Sequence, residues 1–313
     1  MERNKVLIGT RGSRLALIQA QCVKEALEGA DPAIRASLVT IKTTGDRISD
    51  IPLAKIGDKG LFIREIEEAL LRGDIDCAVH SLKDLPTGLP DGLELGAVLE
   101  RGETRDALIS AEGKTLNEIS GGEAIATSSL RRRAQLLSFN PAFEVCDMRG
   151  NIDTRLRKME EGSCAALVLA GCGLIRAGFG HMITQLIDPR IMVPAVCQGI
   201  IGIEIRMEDN RTAGMLKAIN HSTTFLAALA EREFMRTLEG GCQVPVGCHT
   251  RLREDSFEIT GLLSDLDGKR RMKREHSGRL RDAVEIANEL AVRMLSAGGD
   301  HILRKVREEH GKP

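Results

Sequence analysis

Short apolar runs alternate with amphipathic stretches along the first two-thirds of the chain. The runs at residues 6–9, 37–42 and 75–79 predict buried strands. Between them, residues 13–28 and 61–72 place apolar side chains at helical spacing and predict two helices. Strands separated in this way by helices are typical of an α/β sheet with parallel strand pairs.

The same rhythm resumes in a second block. We predict strands at residues 124–126, 143–146 and 165–169, with helices that begin near residues 130 and 152. Two blocks of this kind indicate two related α/β lobes joined by a hinge. A further apolar run at residues 200–205 predicts a strand that can return to the first lobe.

The pattern changes after about residue 223. We predict a helix at 225–238, consecutive strands at 243–253, 257–264 and 269–276, and a helix at 280–295. Helices beside consecutive strands indicate a small α+β domain. The predicted fold class is therefore α/β, with two lobes and a small third domain. We assign residues 1–100 and 195–220 to the first lobe, 101–194 to the second, and 221–313 to the C-terminal domain.

The composition is that of an ordinary globular protein, with an apolar fraction of 42% and a net charge of −1. The balanced charge and the absence of Trp and Tyr disfavour a dedicated nucleic-acid binder. No apolar run approaches the ~20 residues of a membrane span, and the N-terminus lacks the pattern of a secretory signal. We expect a cytoplasmic protein with no membrane or nucleic-acid partner.

Cys242 is the cysteine of chemical interest. The eight cysteines form no C-x-x-C pair, and those in apolar runs are expected to be inert core residues. Cys242 follows Gly240 and Gly241, which leave its thiol approachable as a nucleophile or an attachment point. Its spacing to Cys248 and His249 matches no standard metal site, so we predict no metal.

Arginines follow the predicted strands of both blocks. They make up 31 of the 44 basic residues, and guanidinium groups grip carboxylates and phosphates at two points. Because ligands of α/β sheets sit beyond the carboxyl ends of the strands, we predict one crevice for a ligand with several negative groups. The arginines expected there are Arg11, Arg131, Arg132, Arg149, Arg155 and Arg176.

Two more segments belong to this predicted crevice. Asp84 follows the strand at 75–79, and a carboxylate among cations can stabilise a developing cation or shuttle a proton. His80 is expected to be a packed residue at the strand end. Residues 43–59 have little periodicity and indicate a lid that carries Lys55 and Lys59. Each segment also has a plain structural interpretation as a capped helix start, a turn or a solvated charge.

Seven stretches together resemble the porphobilinogen deaminase family. They occur in family order between residues 9 and 248, and seven in order are far more specific than any one of them. The stretches are GTRGSRLAL from Gly9, KGLFIREIE from Lys59, HSLKDLP from His80, TSSLRR from Thr127, RGNIDTR from Arg149, PAVCQG from Pro194 and EGGCQVP from Glu239.

The resemblance implies a reaction and a cofactor. Four porphobilinogen molecules are joined head to tail into hydroxymethylbilane, with loss of ammonia, in tetrapyrrole biosynthesis. The growing chain starts on a dipyrromethane cofactor in thioether linkage to Cys242. Each pyrrole carries two carboxylates, which accounts for an arginine-lined crevice. The family fold has two periplasmic-binding-protein-like lobes and a small third domain with the cysteine, and we expect a monomer.

The resemblance also implies roles for single residues. Asp84 matches the catalytic aspartate, which hydrogen-bonds pyrrole N–H groups and stabilises a cationic intermediate. The residues expected to bind the cofactor are Cys242, Ser81, Lys83, Asp84, Thr127, Ser129, Arg131 and Arg132. The residues expected to bind the substrate are Arg11, Ser13, Gln19, Lys55, Lys59, Phe62, Arg149, Asn151, Arg155, Arg176 and Gln198.

Two positions depart from the family pattern: residue 18 is Ile where Trp is common, and residue 197 is Cys where Gly is usual. Two other functions stay open. A non-enzymatic two-lobe protein that binds a multiply carboxylated or phosphorylated small molecule would also have an anion cleft, although the loop of Cys242 argues against it. Clustered arginines would also suit a nucleic-acid-binding module, which the net charge disfavours.

Overall fold

The computed structural model describes residues 4–44, 63–238 and 244–310. The chain divides into two compact units. The first comprises Met1–Gly102 and Gly199–Ala228, and the second comprises Glu103–Gln198 and Leu229–Pro313. The division into three domains with the boundaries given above stays a prediction.

In the described residues, the strands in chain order are β1 (Lys5–Thr10), β2 (Arg35–Thr40), β3 (Cys77–Ser81), β4 (Leu93–Val98), β5 (Asp106–Ser110), β6 (Ala124–Ala126), β7 (Glu144–Cys146), β8 (Ala166–Ala170), β9 (Gln185–Leu186), β10 (Ile201–Arg206), β11 (Val246–Arg253), β12 (Ser256–Ser264) and β13 (Arg271–Arg279). The α-helices are α1 (Arg14–Ala30), α2 (Arg64–Arg72), α3 (Leu130–Phe139), α4 (Ile152–Glu160), α5 (Gly171–Arg176), α6 (Asn210–Leu216), α7 (Ser222–Thr237), α8 (Ala283–Met294) and α9 (Asp300–His310).

The first unit is built on a five-stranded sheet in the order β2-β1-β3-β10-β4. β1 pairs in parallel with β2 and β3, whereas β10 runs antiparallel to β3 and β4. The side chains of Ile8, Leu27 and Ile203 are fully buried in its core. The predicted return of the chain to the first sheet at residues 200–205 is therefore confirmed.

The second unit repeats this arrangement in the order β7-β6-β8-β5-β9. β6 pairs in parallel with β7 and β8, whereas β5 runs antiparallel to β8 and β9. The pairs β1–β2 and β6–β7, each connected by a helix, are parallel as predicted, whereas β5 and β10 run antiparallel to both of their neighbours. Each is the first strand after the chain enters its unit, so no strand–helix–strand crossover fixes its direction.

The second unit also contains a three-stranded antiparallel sheet in the order β11-β12-β13. Phe234 of α7 and Met294 of α8 pack on its buried face, and a Cβ atom added to Gly261 would lie 2.5 Å from the Phe234 ring. Two α/β sheets and this small α+β body confirm the predicted fold class.

Several element bounds differ from the prediction. The second and third strands shift by two residues, to Arg35–Thr40 and Cys77–Ser81, because pairing with β1 sets their register. The patterns did not predict β4, β5 and β9. Among the helices of the described residues, none combines the length and apolar character that crossing a bilayer requires.

Candidate active site

The loops after β1 and β3 hold the candidate residues of the first unit. These strands are parallel neighbours, so their carboxyl ends meet at one edge of the sheet. After β1 and Arg11, Ser13 caps α1, where its Oγ accepts a hydrogen bond from the backbone N–H of Ala16 at 3.4 Å. After β3, Ser81 leads into a 3₁₀ turn formed by Leu82–Asp84. The predicted loops therefore lie at the same sheet edge.

A side-chain hydrogen bond joins α1 to the end of β3. Gln19 Nε2 donates to Ser81 Oγ at 2.8 Å, and Gln19 is almost fully buried. Burial and this bond fix the orientation of the Gln19 amide. The structure thus brings together a residue predicted to bind the substrate and a residue predicted to bind the cofactor.

Lys83 and Asp84 present charged groups in the turn that follows. Asp84 is exposed and Lys83 is half-buried. Neither side chain has a hydrogen-bond or ion-pair partner within the ranges that the structure describes. A carboxylate without a protein partner is available to N–H donors of a ligand, as the predicted role of Asp84 requires.

His80, directly before this turn, is a packed residue, as predicted. Its Nε2 lies 3.1 Å from Glu204 Oε2, and both side chains are buried. Glu204 belongs to β10, the antiparallel neighbour of β3. The pair therefore joins β3, which ends at Ser81, to its neighbour β10.

A hydroxyl-rich turn between β6 and α3 organises the candidates of the second unit. Thr127 is buried, and its Oγ1 accepts a hydrogen bond from the Ser129 N–H at 3.3 Å. Ser129 caps α3, where its Oγ accepts from the Arg132 N–H at 3.5 Å. The cap fixes the first helical turn, which carries Arg131 and Arg132.

The carboxylate of Asp106 binds both arginines. Arg131 Nη1 donates to Asp106 Oδ2 at 2.7 Å, and Arg132 Nε and Nη2 lie 2.9 Å and 2.8 Å from Oδ1. Burial would raise the pKa of the Asp106 carboxyl, but the two guanidiniums hold that pKa well below its usual range. Because one ionised carboxylate lies between two guanidiniums, the three side chains together carry a single net positive charge.

Gln198 and two backbone carbonyls complete this network. Gln198 Nε2 donates to Asp106 Oδ1 at 3.0 Å and to the Thr104 carbonyl at 2.7 Å. Arg131 Nη1 also donates to the Val193 carbonyl at 2.6 Å. Arg131 and Arg132 are 5% and 7% exposed, so each offers a ligand only a small part of its surface.

A second cationic group lies at the start of α4. Arg149 precedes this helix, Asn151 is its N-cap, and Arg155 lies one turn inside it. Arg155 Nε donates to the Gly150 carbonyl at 2.7 Å, and its guanidinium has no acidic partner in the described part of the chain. Burial and the positive charges of Arg132 and Arg149 lower the pKa of Arg155 to about 10. A bound anion would relieve this repulsion.

Of the remaining predicted site residues, one lies within the described ranges and four lie outside them. Arg176 is half-buried at the end of α5, the helix that directly follows β8. Lys55, Lys59, Phe62 and Cys242 lie outside the described residues. The structure thus collects Arg11, Ser13, Gln19, Ser81, Lys83 and Asp84 in the first unit, and Thr127, Ser129, Arg131, Arg132, Arg149, Asn151, Arg155, Arg176 and Gln198 in the second.

The turn before Gln198 is tied to the antiparallel sheet of the same unit. The N–H of Cys197 donates to Glu231 Oε2 at 2.6 Å. Glu231 is fully buried on α7, and its Oε1 accepts from Thr250 Oγ1 of β11 at 2.6 Å. In sequence, α7 and β11 are the elements on either side of residues 239–243. β11 also bonds to this turn directly, since the Cys248 N–H donates to the Pro194 carbonyl at 2.9 Å.

Among the described residues, three acids that are 0% exposed were missed by the sequence interpretation: Asp106, Glu204 and Glu231. Each lies within an apolar stretch of sequence or directly beside one. Acidic residues are almost never fully buried unless they are paired, so such a position signals that a partner exists. It does not say which residue the partner is, because all three partners are distant in sequence or belong to the backbone.

Comparison with known proteins tests the family resemblance. The profile of the porphobilinogen deaminase dipyrromethane cofactor binding domain matches residues 6–214, and that of the porphobilinogen deaminase C-terminal domain matches residues 225–296. The chain belongs to the porphobilinogen deaminase family. The porphobilinogen deaminase of Trichlorobacter lovleyi is 46% identical over 306 residues, which cover 98% of each chain. That of Desulforudis audaxviator is 48% identical over 305 residues, 97% of this chain and 99% of the relative.

The family, its dipyrromethane cofactor and its place in tetrapyrrole biosynthesis are thereby confirmed. The first profile spans every described candidate residue from Arg11 to Gln198, and Cys242 falls within the second. Among solved structures, a TRAP periplasmic solute binding protein from Desulfovibrio salexigens matches with 10% identity, coverage of 74% of this chain and 75% of that chain, and a TM-score of 0.41. An ancestral cationic amino acid solute binding protein matches with 13% identity, coverage of 69% and 89%, and a TM-score of 0.43.

Proposed function

We propose that this protein is a hydroxymethylbilane synthase, a transferase that joins four porphobilinogen molecules head to tail and releases ammonia. Membership of an enzyme family argues against the binding-protein and nucleic-acid alternatives. The observation that carries the proposal is the excess positive charge of an arginine cluster in the second unit. Arg131, Arg132 and Arg155 together exceed what the one buried carboxylate of Asp106 compensates.

The residues present fit a dipyrromethane with carboxylate side chains. Arg155 has a pKa lowered by burial and by its cationic neighbours, so a carboxylate beside it would be stabilised. The hydroxyls of Thr127 and Ser129 and the ammonium of Lys83 are further donors to carboxylate oxygens. When bound, the dipyrromethane supplies the nucleophilic pyrrole carbon to which the first substrate unit is joined. We place its thioether attachment at Cys242.

We propose Asp84 as the catalytic residue. Loss of ammonia from the substrate leaves a positive charge spread over the pyrrole ring and its methylene carbon. An exposed carboxylate with no partner among the described residues can stabilise that charge and accept a hydrogen bond from the pyrrole N–H.

Substrate carboxylates are proposed to bind the remaining polar groups of both units. In the first unit these are Arg11, Ser13 and Gln19, and in the second Arg149, Asn151, Arg155 and Arg176. Lys55, Lys59 and Phe62 keep their predicted roles. Gln198 donates its amide hydrogens to Asp106 and Thr104, so we propose that it supports the arginines instead of the substrate directly.

We also propose that the protein acts as a cytoplasmic monomer on a small-molecule substrate. The groups assigned above to cofactor and substrate all come from one chain, so the reaction requires no second copy. The proposed ligands are carboxylated pyrroles, which call for neither a membrane nor a nucleic acid as partner.

The mass of the denatured protein tests the proposal. Wild-type protein is expected to exceed the bare chain mass by a two-pyrrole adduct, and Cys242→Ser is expected to lack the excess. Cys22→Ser is the matched control, because it removes a half-buried thiol of α1 and should leave the adduct in place.

A wild-type mass equal to the bare chain of 34.1 kDa calls for one more step, incubation with porphobilinogen. An unloaded synthase gains the adduct on Cys242. Protein that gains no adduct under these conditions contradicts the proposed function.

A further inference from the structure

We infer that Asp106 is the positioning residue of the cofactor-binding arginines, because its carboxylate orients Arg131 and Arg132 and ties both to Gln198. The inference rests on the proposed function, since it takes these arginines as groups that hold the dipyrromethane. The resemblance described above assigns no role to Asp106.

The hydrogen bonds of Asp106 exclude direct contact with a ligand. A carboxylate accepts about four hydrogen bonds in its plane. Asp106 Oδ2 accepts from Arg131 Nη1, and Oδ1 is within 3.0 Å of Arg132 Nε, Arg132 Nη2 and Gln198 Nε2. The side chain is also 0% exposed. Its acceptor capacity is used within the protein, so any effect on the ligand passes through the two arginines.

The backbone of Asp106 is fixed on both sides. It is the first residue of β5, opposite Ala170 of β8, and its carbonyl accepts a hydrogen bond from the Ile187 N–H at 2.8 Å. On the other side, the carbonyl of Arg105 accepts from the Gly171 N–H at 3.0 Å. An inner strand held in this way cannot follow a guanidinium that moves, so the carboxylate is a fixed reference point.

Two explanations of cofactor binding predict opposite outcomes when the negative charge of Asp106 is removed. One considers only the total charge of the arginine cluster, and the other considers the orientation of Arg131 and Arg132. If only the total charge matters, the group becomes more positive and should bind an anionic cofactor at least as well. If orientation matters, Arg131 and Arg132 repel each other, one of them loses its acceptor oxygen, and the pair no longer presents a defined set of donors. Loading with cofactor should then fall.

Three variants separate these effects. Asp106→Asn removes the charge with little change of shape, and Asp106→Glu keeps the charge but displaces it by one methylene group. Asp188→Asn is the matched control in the same unit, because Asp188 pairs at 2.6 Å with Arg190, whose side chain is 85% exposed. For each protein, intact mass gives the loaded fraction before and after incubation with porphobilinogen. Thermal unfolding shows whether the protein is folded, and kcat and KM are measured on the loaded protein.

If Asp106 orients the two arginines, the variants should differ in the fraction of protein that carries the cofactor. Wild type and Asp188→Asn are expected to be fully loaded, and Asp106→Asn to show a loaded fraction at least tenfold smaller in folded protein. Asp106→Glu is expected to be intermediate in loading, with kcat/KM reduced at least tenfold. A purely structural role would lower the unfolding temperature and leave loading of the folded protein unchanged.

The inference is overturned by folded Asp106→Asn protein that loads as completely as wild type. If Asp106→Asn does not fold, Asp106→Glu decides, and wild-type loading together with wild-type kcat/KM overturns the inference. Wild-type protein that gains no adduct from porphobilinogen contradicts the proposed function instead, so the two failures are distinguishable.

Discussion

Cys197 has a φ of 58°, and its thiol is buried at the turn before Gln198. This left-handed conformation costs an L-residue roughly 1–2 kcal/mol and costs glycine nothing. The backbone conformation therefore favours glycine at this position. The short hydrogen bond from the Cys197 N–H to Glu231 offsets part of the strain.

At this position, we predict that Cys197→Gly is more stable to unfolding than Cys197→Ala by about 1 kcal/mol, because both lack the thiol and only alanine is strained. Urea unfolding of the two variants measures the difference. The same pair at Cys77, a buried residue inside β3, is the control. There alanine should be the more stable by about 0.5–1 kcal/mol, since the extended backbone gives glycine no advantage. If the same variant, glycine or alanine, is the more stable at both positions, the explanation by backbone strain at Cys197 is contradicted.

At the scale of elements, the turn between β12 and β13 packs against α3, the helix that carries Arg131 and Arg132. Gly268 in this turn has a φ of 72°, and a Cβ atom on it would lie 2.0 Å from the Ala134 carbonyl oxygen. Backbone atoms of a helix cannot move aside as a flexible side chain can. The glycine therefore lets the small sheet approach this helix.

We predict that Gly268→Ala destabilises the protein by at least about 3 kcal/mol, because it combines left-handed strain with a clash against backbone. Gly113→Ala is the matched control: Gly113 has the same φ of 72° and nothing within 4 Å of an added Cβ atom. It should cost only the strain, about 1–2 kcal/mol. Urea unfolding measures both, and equal losses would show that the close approach to α3 does not matter.

For the whole molecule, the buried Asp106 network links stability to pH. The two guanidiniums depress the pKa of the Asp106 carboxyl below its ordinary value of 3.8 in the folded protein, against the effect of burial. A depressed carboxyl pKa stabilises the folded state fully above about pH 5, and the contribution is lost as the pH falls toward the folded-state pKa.

We therefore predict that the free energy of unfolding falls below pH 3.8, with a contribution from Asp106 that approaches about 1.4 kcal/mol per pH unit as the pH drops further. Urea unfolding across this range measures the slope. Asp106→Asn should lack the contribution, whereas Asp188→Asn should change the slope less because its ion pair lies at the surface. A slope in Asp106→Asn equal to that of wild type would contradict the prediction.

The local pattern of the chain was enough to predict most helices and strands. Apolar spacing located α1, α3 and α4, and Ser13 and Ser129 have the side chains that begin a helix. Motif order identified the family, and with it the residues expected to bind cofactor and substrate. These properties follow from neighbours in sequence, because spacing and capping act within a few residues.

Strand direction and the partners of buried charges depend on residues far apart in sequence. The strand that starts at Asp106 was not predicted, and its antiparallel place beside β8 brings the carboxylate to Arg131 and Arg132, 25 and 26 residues away. The same holds for His80 and Glu204, which are 124 residues apart. A buried charge is stable only beside its partner, and the tertiary structure alone supplies that partner.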